Sequence, residues 1–227
     1  MIRYIVFDTE TTGLDPLSGD KIIEIGAVEL LDKERSGKTY HQFVNPECQI
    51  SQETTNITHI TNEDLIDKPI FKDIANDFLN FLNDNSSGCD KTILVAHNAS
   101  FDLKFLNHEL KLIGLDNLSN FEVIDTLEVA RNRFPGQKAT LDMLCEKFGI
   151  SLEERKTQGH GALLDSQILV DVFMKLTAGS RNILEDTNAI DFVGFKKRDV
   201  ILESRDFTLT EDEIKKHNQF LVDNKLV

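Results

Sequence analysis

The sequence has no long hydrophobic run, few cysteines and little positive charge, and each shortage excludes a class of protein. No apolar stretch approaches the ~20 residues that a transmembrane helix needs, and the apolar start from Ile2 to Phe7 is too short for a signal peptide. Cys48, Cys89 and Cys145 are too widely separated for a zinc motif or an obvious disulfide framework. We therefore expect a protein of the reducing cytoplasm with no membrane segment.

Positive charge is scarce, since 25 lysines and arginines face 39 acidic residues and give a net charge of −14. Nucleic-acid binding usually depends on lysines and arginines at phosphates, so this balance argues against long-range attraction to nucleic acid. Long-range attraction matters less for a protein that binds only a few nucleotides through metal ions and backbone amides. It also matters less for a protein whose partner holds the rest of the polymer. The length of 227 residues allows one domain with a full core and a tail or small extra module.

The chain opens on an apolar strand that runs into two carboxylates. Tyr4 to Phe7 is predicted to be a strand buried on both faces, and Asp8 and Glu10 follow it. Period-2 alternation places both acids on the same side of the strand. Two neighbouring anions at the end of a core strand are costly unless a cation lies between them, and hard oxygen ligands suit Mg²⁺ or Mn²⁺. A strand-capping Asp and a solvent-facing Glu are the simpler alternative.

The order of the following elements indicates an α/β domain. Short connections join the first strand to predicted strands at Ile22–Leu31 and Tyr40–Val44, which predicts an antiparallel meander. Two short apolar strands, Thr92–Ala96 and Val123–Ile124, then alternate with amphipathic helices.

Two more acids and a histidine follow later elements. Asp102 lies in the first turn of a predicted helix, just beyond the carboxyl end of the strand Thr92–Ala96, where open α/β sheets place their sites. Asp165 lies between core positions of the last strong helix, so it points toward the protein. His160 precedes Asp165 by about 140° around an ideal helix. The two side chains converge only if His160 lies on the loop before the helix, where flanking glycines give the backbone freedom.

Each of these residues alone has an ordinary structural explanation. Asp102 suits a helix N-terminus, Asp165 suits a buried hydrogen-bond acceptor, and His160 suits a surface loop. Together with Asp8 and Glu10 they make up the set that a two-metal phosphoryl-transfer site requires, in which carboxylates neutralise two divalent ions. A histidine beside them can accept the proton of an attacking water near neutral pH.

The sequence resembles the DEDDh 3′→5′ exonucleases, and within them the branch that proofreads for bacterial replicative DNA polymerases. Three motifs in the family's order carry the resemblance: Asp8-Thr-Glu10-Thr-Thr-Gly, His97-Asn-Ala-Ser-Phe-Asp102 and His160-Gly-Ala-Leu-Leu-Asp165. The similarity covers about Ile2 to Leu176. It implies a ribonuclease-H-like α/β fold with a mixed five-stranded sheet, an exonuclease domain over residues 1–176, and a separate tail over 177–227.

The resemblance also implies roles for the matching positions. Asp8 would bridge two divalent cations, Mg²⁺ or Mn²⁺; Glu10 and Asp165 would complete the ion on the nucleophile side; Asp102 would support the other ion through water; and His160 would be the general base. The implied substrate contacts are Asp8, Glu10, Thr11, Leu14, Glu53, Thr58 and Asp165. Many relatives carry a His-Gly pair where this sequence has Thr58-His59, so either residue could make that contact. His97 is interpreted as a residue that holds its motif loop by hydrogen bonds rather than as a metal ligand.

The implied function is release of nucleoside 5′-monophosphates from DNA 3′ ends. The tail would bind the polymerase (alpha) subunit, with a fainter similarity at Thr210–Phe220, and a small theta-like subunit and the sliding clamp are further possible partners. No convincing clamp motif is present near Arg181–Asp186. Two alternatives remain open from the sequence: a stand-alone exonuclease for RNA or tRNA 3′ ends, and a catalytically silent module that tethers replication proteins.

Overall fold

The computed structural model describes residues 1–178, apart from the side chains of Lys156 and Gln158, and these residues form one mixed five-stranded sheet flanked by helices. The strands are β1 (Ile2–Thr11), β2 (Ile22–Leu31), β3 (Glu34–Phe43), β4 (Lys91–Ala96) and β5 (Glu122–Asp125). Their order is β3-β2-β1-β4-β5. The first three strands pair antiparallel, whereas β4 is parallel to β1 and β5 is parallel to β4. The predicted meander and mixed five-stranded sheet are therefore confirmed.

The third strand begins at Glu34, well before the predicted start at Tyr40. Asp32 and Lys33 both have positive φ values, 46° and 72°, and form the two-residue turn between β2 and β3. Such a turn matches the twist of paired strands, so pairing resumes at once with Leu31 opposite Glu34. The charged segment after Leu31 is consequently an exposed edge strand and not the long turn that its polarity predicts.

Eight α-helices fall within residues 1–178. They are α1 (Gln52–Thr58), α2 (Asn62–Leu65), α3 (Phe71–Asn83), α4 (Ala99–Leu112), α5 (Thr126–Arg133), α6 (Leu141–Phe148), α7 (Glu153–Gln158) and α8 (Ala162–Leu176). Several begin at side-chain caps, including Thr61, whose hydroxyl accepts from the Asp64 amide in a full capping box. The short helix α7 is not predicted by hydrophobic periodicity, because its six residues are all polar or charged.

The sheet separates two hydrophobic layers. Ile5 and Phe7 of β1 belong to the layer formed with α3 and α4. Tyr4 and Val6, which alternate with them, belong to the layer formed with α8. Because alternation continues along the strand, the even-numbered acids at its end belong to the face that α8 covers.

Gly26 allows α8 to approach the sheet at the level of Asp8, its partner in the β1–β2 register. A Cβ atom at Gly26 would lie 2.2 Å from backbone atoms of Ala162 and Leu163, so any side chain there would push the helix away. The Ser166 hydroxyl also donates to the Gly26 carbonyl oxygen at 2.9 Å. This contact sets the first turn of α8, with Asp165, directly against the end of β1.

None of the helices in residues 1–178 has both the length and the apolar character of a membrane span. The predicted tail, residues 177–227, lies almost entirely outside the described part of the chain.

Candidate active site

Asp8 and Glu10 stand at the end of β1 in a strongly acidic environment. Burial raises the pKa of Asp8 well above its usual value, and the charges of Asp102, Glu10 and Asp165 raise it further. Burial also raises the pKa of Glu10 to about 8, with further contributions from Asp165 and Glu24. The structure therefore brings the four predicted carboxylates to one place.

Asp102 is held rigidly by the backbone of β1. It is buried in the first turn of α4, and its Oδ1 accepts from the Thr9 amide at 3.0 Å and from the Thr9 hydroxyl at 2.7 Å. Burial raises the pKa of Asp102 to about 7, although the hydrogen bonds from Thr9 oppose the rise. These bonds fix the start of α4 against the strand residue between Asp8 and Glu10.

His160 lies on the loop before α8, the arrangement that lets it converge with Asp165. Gly161 is the N-cap of α8. The His160 Nδ1 atom lies 3.5 Å from Asp165 Oδ2, and the imidazole is 41% exposed. The His160 amide donates to the Ile57 carbonyl oxygen at 3.1 Å, which ties this loop to α1.

Arg155 of α7 contacts both of these residues. Its Nη2 atom lies 2.8 Å from Asp165 Oδ2 and 2.7 Å from His160 Nδ1. Its Nη1 atom pairs with Asp142 of α6. The site thus contains a buried cation that the sequence did not predict.

The donor set fits a divalent cation. Glu10, His160 and Asp165 each offer a ligand atom, and these atoms lie within 4.8 Å of one another. Asp165 Oδ1 is buried without a hydrogen-bond partner among the described residues, which is costly unless a cation or water satisfies it. Crowded carboxylates with raised pKa values and free oxygens are the hard ligands that Mg²⁺ and Mn²⁺ prefer.

With this geometry established, comparison with known proteins identifies the family. The family model described as "Exonuclease" matches residues 5–173. The chain belongs to the exonuclease family. The DEDDh resemblance is thus confirmed, and enzymes of this exonuclease family generally use divalent metal ions.

Individual relatives agree with this exonuclease assignment. The chain is 42% identical to the DNA polymerase III subunit epsilon of Rickettsia prowazekii (strain Madrid E), over 97% of this chain and 96% of that protein. Exonuclease X in complex with 5′ overhanging duplex DNA superposes with a TM-score of 0.62 at 26% identity, covering 86% of this chain and 100% of that one. The nuclease domain of 3′hExo, a DEDDh family member bound to rAMP, shares the fold with a TM-score of 0.62 at 22% identity, covering 82% and 92% of the two chains. The predicted ribonuclease-H-like fold is therefore confirmed.

Apart from the carboxylates and Thr58, the predicted substrate contacts of the exonuclease lie at the end of β1, in the turn after it and on α1. Leu14 is 81% exposed, and the Thr11 hydroxyl donates to the Gly13 carbonyl oxygen at 2.6 Å. Glu53 is exposed in the first turn of α1. Their contact with substrate stays a prediction.

Thr58 and His59 occupy different environments. Thr58 is buried, and its hydroxyl donates to the Thr54 carbonyl oxygen at 3.0 Å and accepts from the Ile60 amide at 3.2 Å. His59 has φ of 59° at the end of α1, and its ring packs against Gly159. Both residues border a cavity of about 510 Å³ that His160 also lines. The Thr58 hydroxyl is committed to the local backbone, whereas the His59 ring lies beside the loop of His160.

His97 anchors its loop, as interpreted from the sequence. Its Nδ1 atom lies 2.9 Å from the Thr126 hydroxyl, which in turn donates to the Ala96 carbonyl oxygen. Burial lowers the pKa of His97, which favours the neutral ring. Asp125 completes this support, since its two carboxylate oxygens accept from the amides of Asn98 and Ala99.

Sequence reasoning missed a fifth acid beside the site. Glu24 lies opposite Glu10 in the β1–β2 register and is buried. Its Oε1 atom lies 2.7 Å from His41 Nε2, while Oε2 is buried without a partner among the described residues. Glu24 and Glu29 are two glutamates in an otherwise apolar strand, which was the available signal, but alternation alone does not show which of them faces the site.

The raised pKa values predict that the metal-free protein is less stable at alkaline pH. Unfolded carboxyl groups titrate near pH 4, whereas Asp102 and Glu10 have folded pKa values of about 7 and about 8. Between these limits the folded state holds more protons than the unfolded state, so the free energy of unfolding falls as pH rises from about 4 to about 8. We expect the Tm of chelator-treated protein to fall by roughly 5–10 °C across this window.

Scanning calorimetry of the chelator-treated protein at several pH values measures this effect. Glu10→Gln should flatten the curve because it removes one of the titrating groups, and Mn²⁺ should restore the Tm at the alkaline end. An unchanging Tm across the window would show that the acids are not crowded as described.

Proposed function

We propose that this exonuclease is the proofreading subunit of a bacterial replicative DNA polymerase and releases nucleoside 5′-monophosphates from DNA 3′ ends. The observation that carries the proposal is the convergence of Asp8, Glu10, Asp102 and Asp165 beside His160 at one end of the sheet. The extent of the match to proteins named DNA polymerase III subunit epsilon supports the polymerase context.

In this proposal the four carboxylates hold two divalent cations, Mg²⁺ or Mn²⁺. When bound, the cations supply positive charge to the attacking and leaving oxygens of an in-line displacement. Asp8 is proposed to bridge the two cations, because after burial the charges of the other three acids all raise its pKa. Glu10 and Asp165 serve the nucleophile side with His160, and Asp102 is positioned by Thr9 to support the other side.

His160 is proposed to accept the proton of the attacking water. Its position beside Asp165 and its partial exposure give it access to both the carboxylates and solvent. The hydrogen bond from its amide to Ile57 holds it at this edge through the loop backbone. A general base contributes through such positioning, because proton transfer requires hydrogen-bond reach in the reacting complex.

The terminal nucleotide is proposed to contact the turn Thr11–Leu14 and the α1 region. Leu14 offers an exposed apolar edge, and Glu53 and His59 lie on or at the end of α1. His59 is preferred to Thr58 for a side-chain contact, because the Thr58 hydroxyl already bonds to two backbone groups. Contacts limited to the terminal nucleotide suit a protein of net charge −14, because such a protein is not attracted electrostatically to a long nucleic acid.

A matched-oligonucleotide assay tests the proposed activity. The full chain is incubated with 5′-labelled DNA or RNA of the same sequence, with Mg²⁺, Mn²⁺ or a chelator. We expect stepwise shortening of single-stranded DNA from its 3′ end, loss of activity with the chelator, and much slower turnover of RNA. Equal or faster turnover of RNA would favour an RNA 3′-end exonuclease.

The same preparation tests the proposed partners. The tail, 177–227, is proposed to bind the polymerase (alpha) subunit, and a theta-like subunit and the sliding clamp are candidates for the assembly. Gel filtration with purified alpha subunit should show coelution of the full chain but not of a chain ending at Leu176. Coelution of both chains would place the alpha-binding surface on the catalytic domain.

A further inference from the structure

Arg155 is a buried arginine at the edge of the acidic site. It comes from the short helix α7, and its side chain is only 10% exposed. The guanidinium reaches Asp142 through Nη1 and both Asp165 and His160 through Nη2. Its Nε atom is buried with no hydrogen-bond partner among the side chains and backbone groups that the structure describes. Burying this charge is costly, and the ion pairs with the neighbouring acids offset that cost.

Among the side chains that the structure describes, which exclude that of Lys156, Arg155 is the only lysine or arginine paired with any of the four proposed ligand acids. Its charge also reaches Asp8 and Glu10, where it lowers pKa values that burial and the other acids raise. One guanidinium therefore provides the nearby positive charge for a cluster of four carboxylates.

The contact with His160 limits what the imidazole can do. An arginine can only donate hydrogen bonds, so His160 Nδ1 accepts from Nη2. A neutral ring with an accepting Nδ1 carries its proton on Nε2. Neither ring nitrogen is then free to accept a proton from water while Arg155 stays in place.

We propose that Arg155 is the resident counter-cation of the active site, which a divalent ion must displace from Asp165 during metal loading. The inference rests on the proposed metal-dependent function. While Arg155 is bound, it neutralises Asp165 and occupies the accepting nitrogen of His160. When a divalent ion binds the same carboxylate group, repulsion between the two cations drives the guanidinium away and frees the imidazole. Arg155 thus couples metal binding to the ability of His160 to accept a proton.

The local structure permits this displacement. Helix α7 has only six residues and no side-chain hydrogen bond at its N-cap, Leu152. It ends at Gly159, whose φ of 81° needs no strain. Asp142 is exposed, so it offers the released guanidinium a partner outside the site.

Mn²⁺ binding to Arg155→Gln tests the proposal without relying on catalysis. Free Mn²⁺ is measured by electron paramagnetic resonance, with the full chain at mildly alkaline pH. Removing a unit positive charge this close to the ligands should tighten Mn²⁺ binding roughly tenfold or more. The Tm of the chelator-treated variant should fall, because the acids lose their counter-ion, and Mn²⁺ should raise it by more than it raises the wild-type Tm.

Two further variants separate the effect of charge from that of structure. Arg155→Lys retains the charge and should keep Mn²⁺ affinity close to wild type. Arg35→Gln removes an exposed arginine that pairs with Asp171, also on α8, at 2.9 Å, and should change neither measurement. Arg155→Gln with unchanged or weaker Mn²⁺ binding would overturn the proposal, since a purely positioning arginine gives that result. A wild-type chain that binds no Mn²⁺ would contradict the metal-dependent function itself, and this inference with it.

Discussion

Replacing Asp8 with asparagine should abolish release of nucleotides from a DNA 3′ end. Asp8 is the acid whose pKa is raised, after burial, by all three other proposed ligands. Loss of its charge removes a central ligand for the proposed cations, which contribute several kcal/mol to the displacement, so we expect a fall in kcat of roughly a thousandfold or more. Single-turnover assays on 5′-labelled single-stranded DNA measure this loss.

The same substitution should leave the fold intact. Asparagine has nearly the shape of aspartate and removes one charge from a crowded site, so the Tm of chelator-treated Asp8→Asn should equal or exceed that of wild type. Its stabilisation by Mn²⁺ should be largely lost. Asp171→Asn is the matched control, since it removes an exposed acid of α8 that pairs with Arg35. Undiminished exonuclease activity in Asp8→Asn would end the proposed mechanism.

Much of the acidic cluster could be predicted from the sequence because strand and helix periods fix side-chain directions. Alternation along β1 placed Asp8 and Glu10 on one face, and the position of Asp102 just after β4 placed it at the same end of the sheet. The angular separation of His160 and Asp165 required the histidine to precede the helix, and α8 begins at Ala162.

The residues that the sequence did not predict act through contacts between distant elements. Arg155 lies in a helix with no apolar face, so neither periodicity nor motif spacing indicates that its side chain is buried. Glu24 lies beside Glu10 because β2 pairs with β1 in this register. Gly26 has a clear role once α8 is seen against it, but a glycine within a strand does not show what approaches it.

The net negative charge of the whole protein and the carboxylate cluster of its active site have different consequences. The net charge of −14 acts over long distances and does not attract a polyanion. The site buries four carboxylates, and this burial, followed by their mutual repulsion, raises the pKa values of Asp8 and Glu10. A bound cation relieves the repulsion. Metal binding is therefore expected to make the electrostatic potential positive where the DNA 3′ end is proposed to bind, although the rest of the surface stays acidic.

His160→Gln should slow nucleotide release by roughly a hundredfold to ten-thousandfold, the range typical of a lost general base. Glutamine keeps a polar side chain on the loop beside Asp165 but cannot accept the proton of the attacking water. Wild-type activity should rise with pH across the range in which imidazoles lose their proton, and the residual activity of the variant should not follow that rise. Single-turnover rates over this pH range measure both effects.

Metal affinity separates a base from a ligand, because His160 also lies within ligand distance of Glu10 and Asp165. If His160 acts as the base, His160→Gln should bind Mn²⁺ about as tightly as wild type while its rate falls. His108→Gln is a suitable control, since His108 lies on α4 and lines a separate cavity beside Leu17. Parallel losses of Mn²⁺ affinity and rate in His160→Gln would instead make His160 a metal ligand, and the proton of the attacking water would need another acceptor.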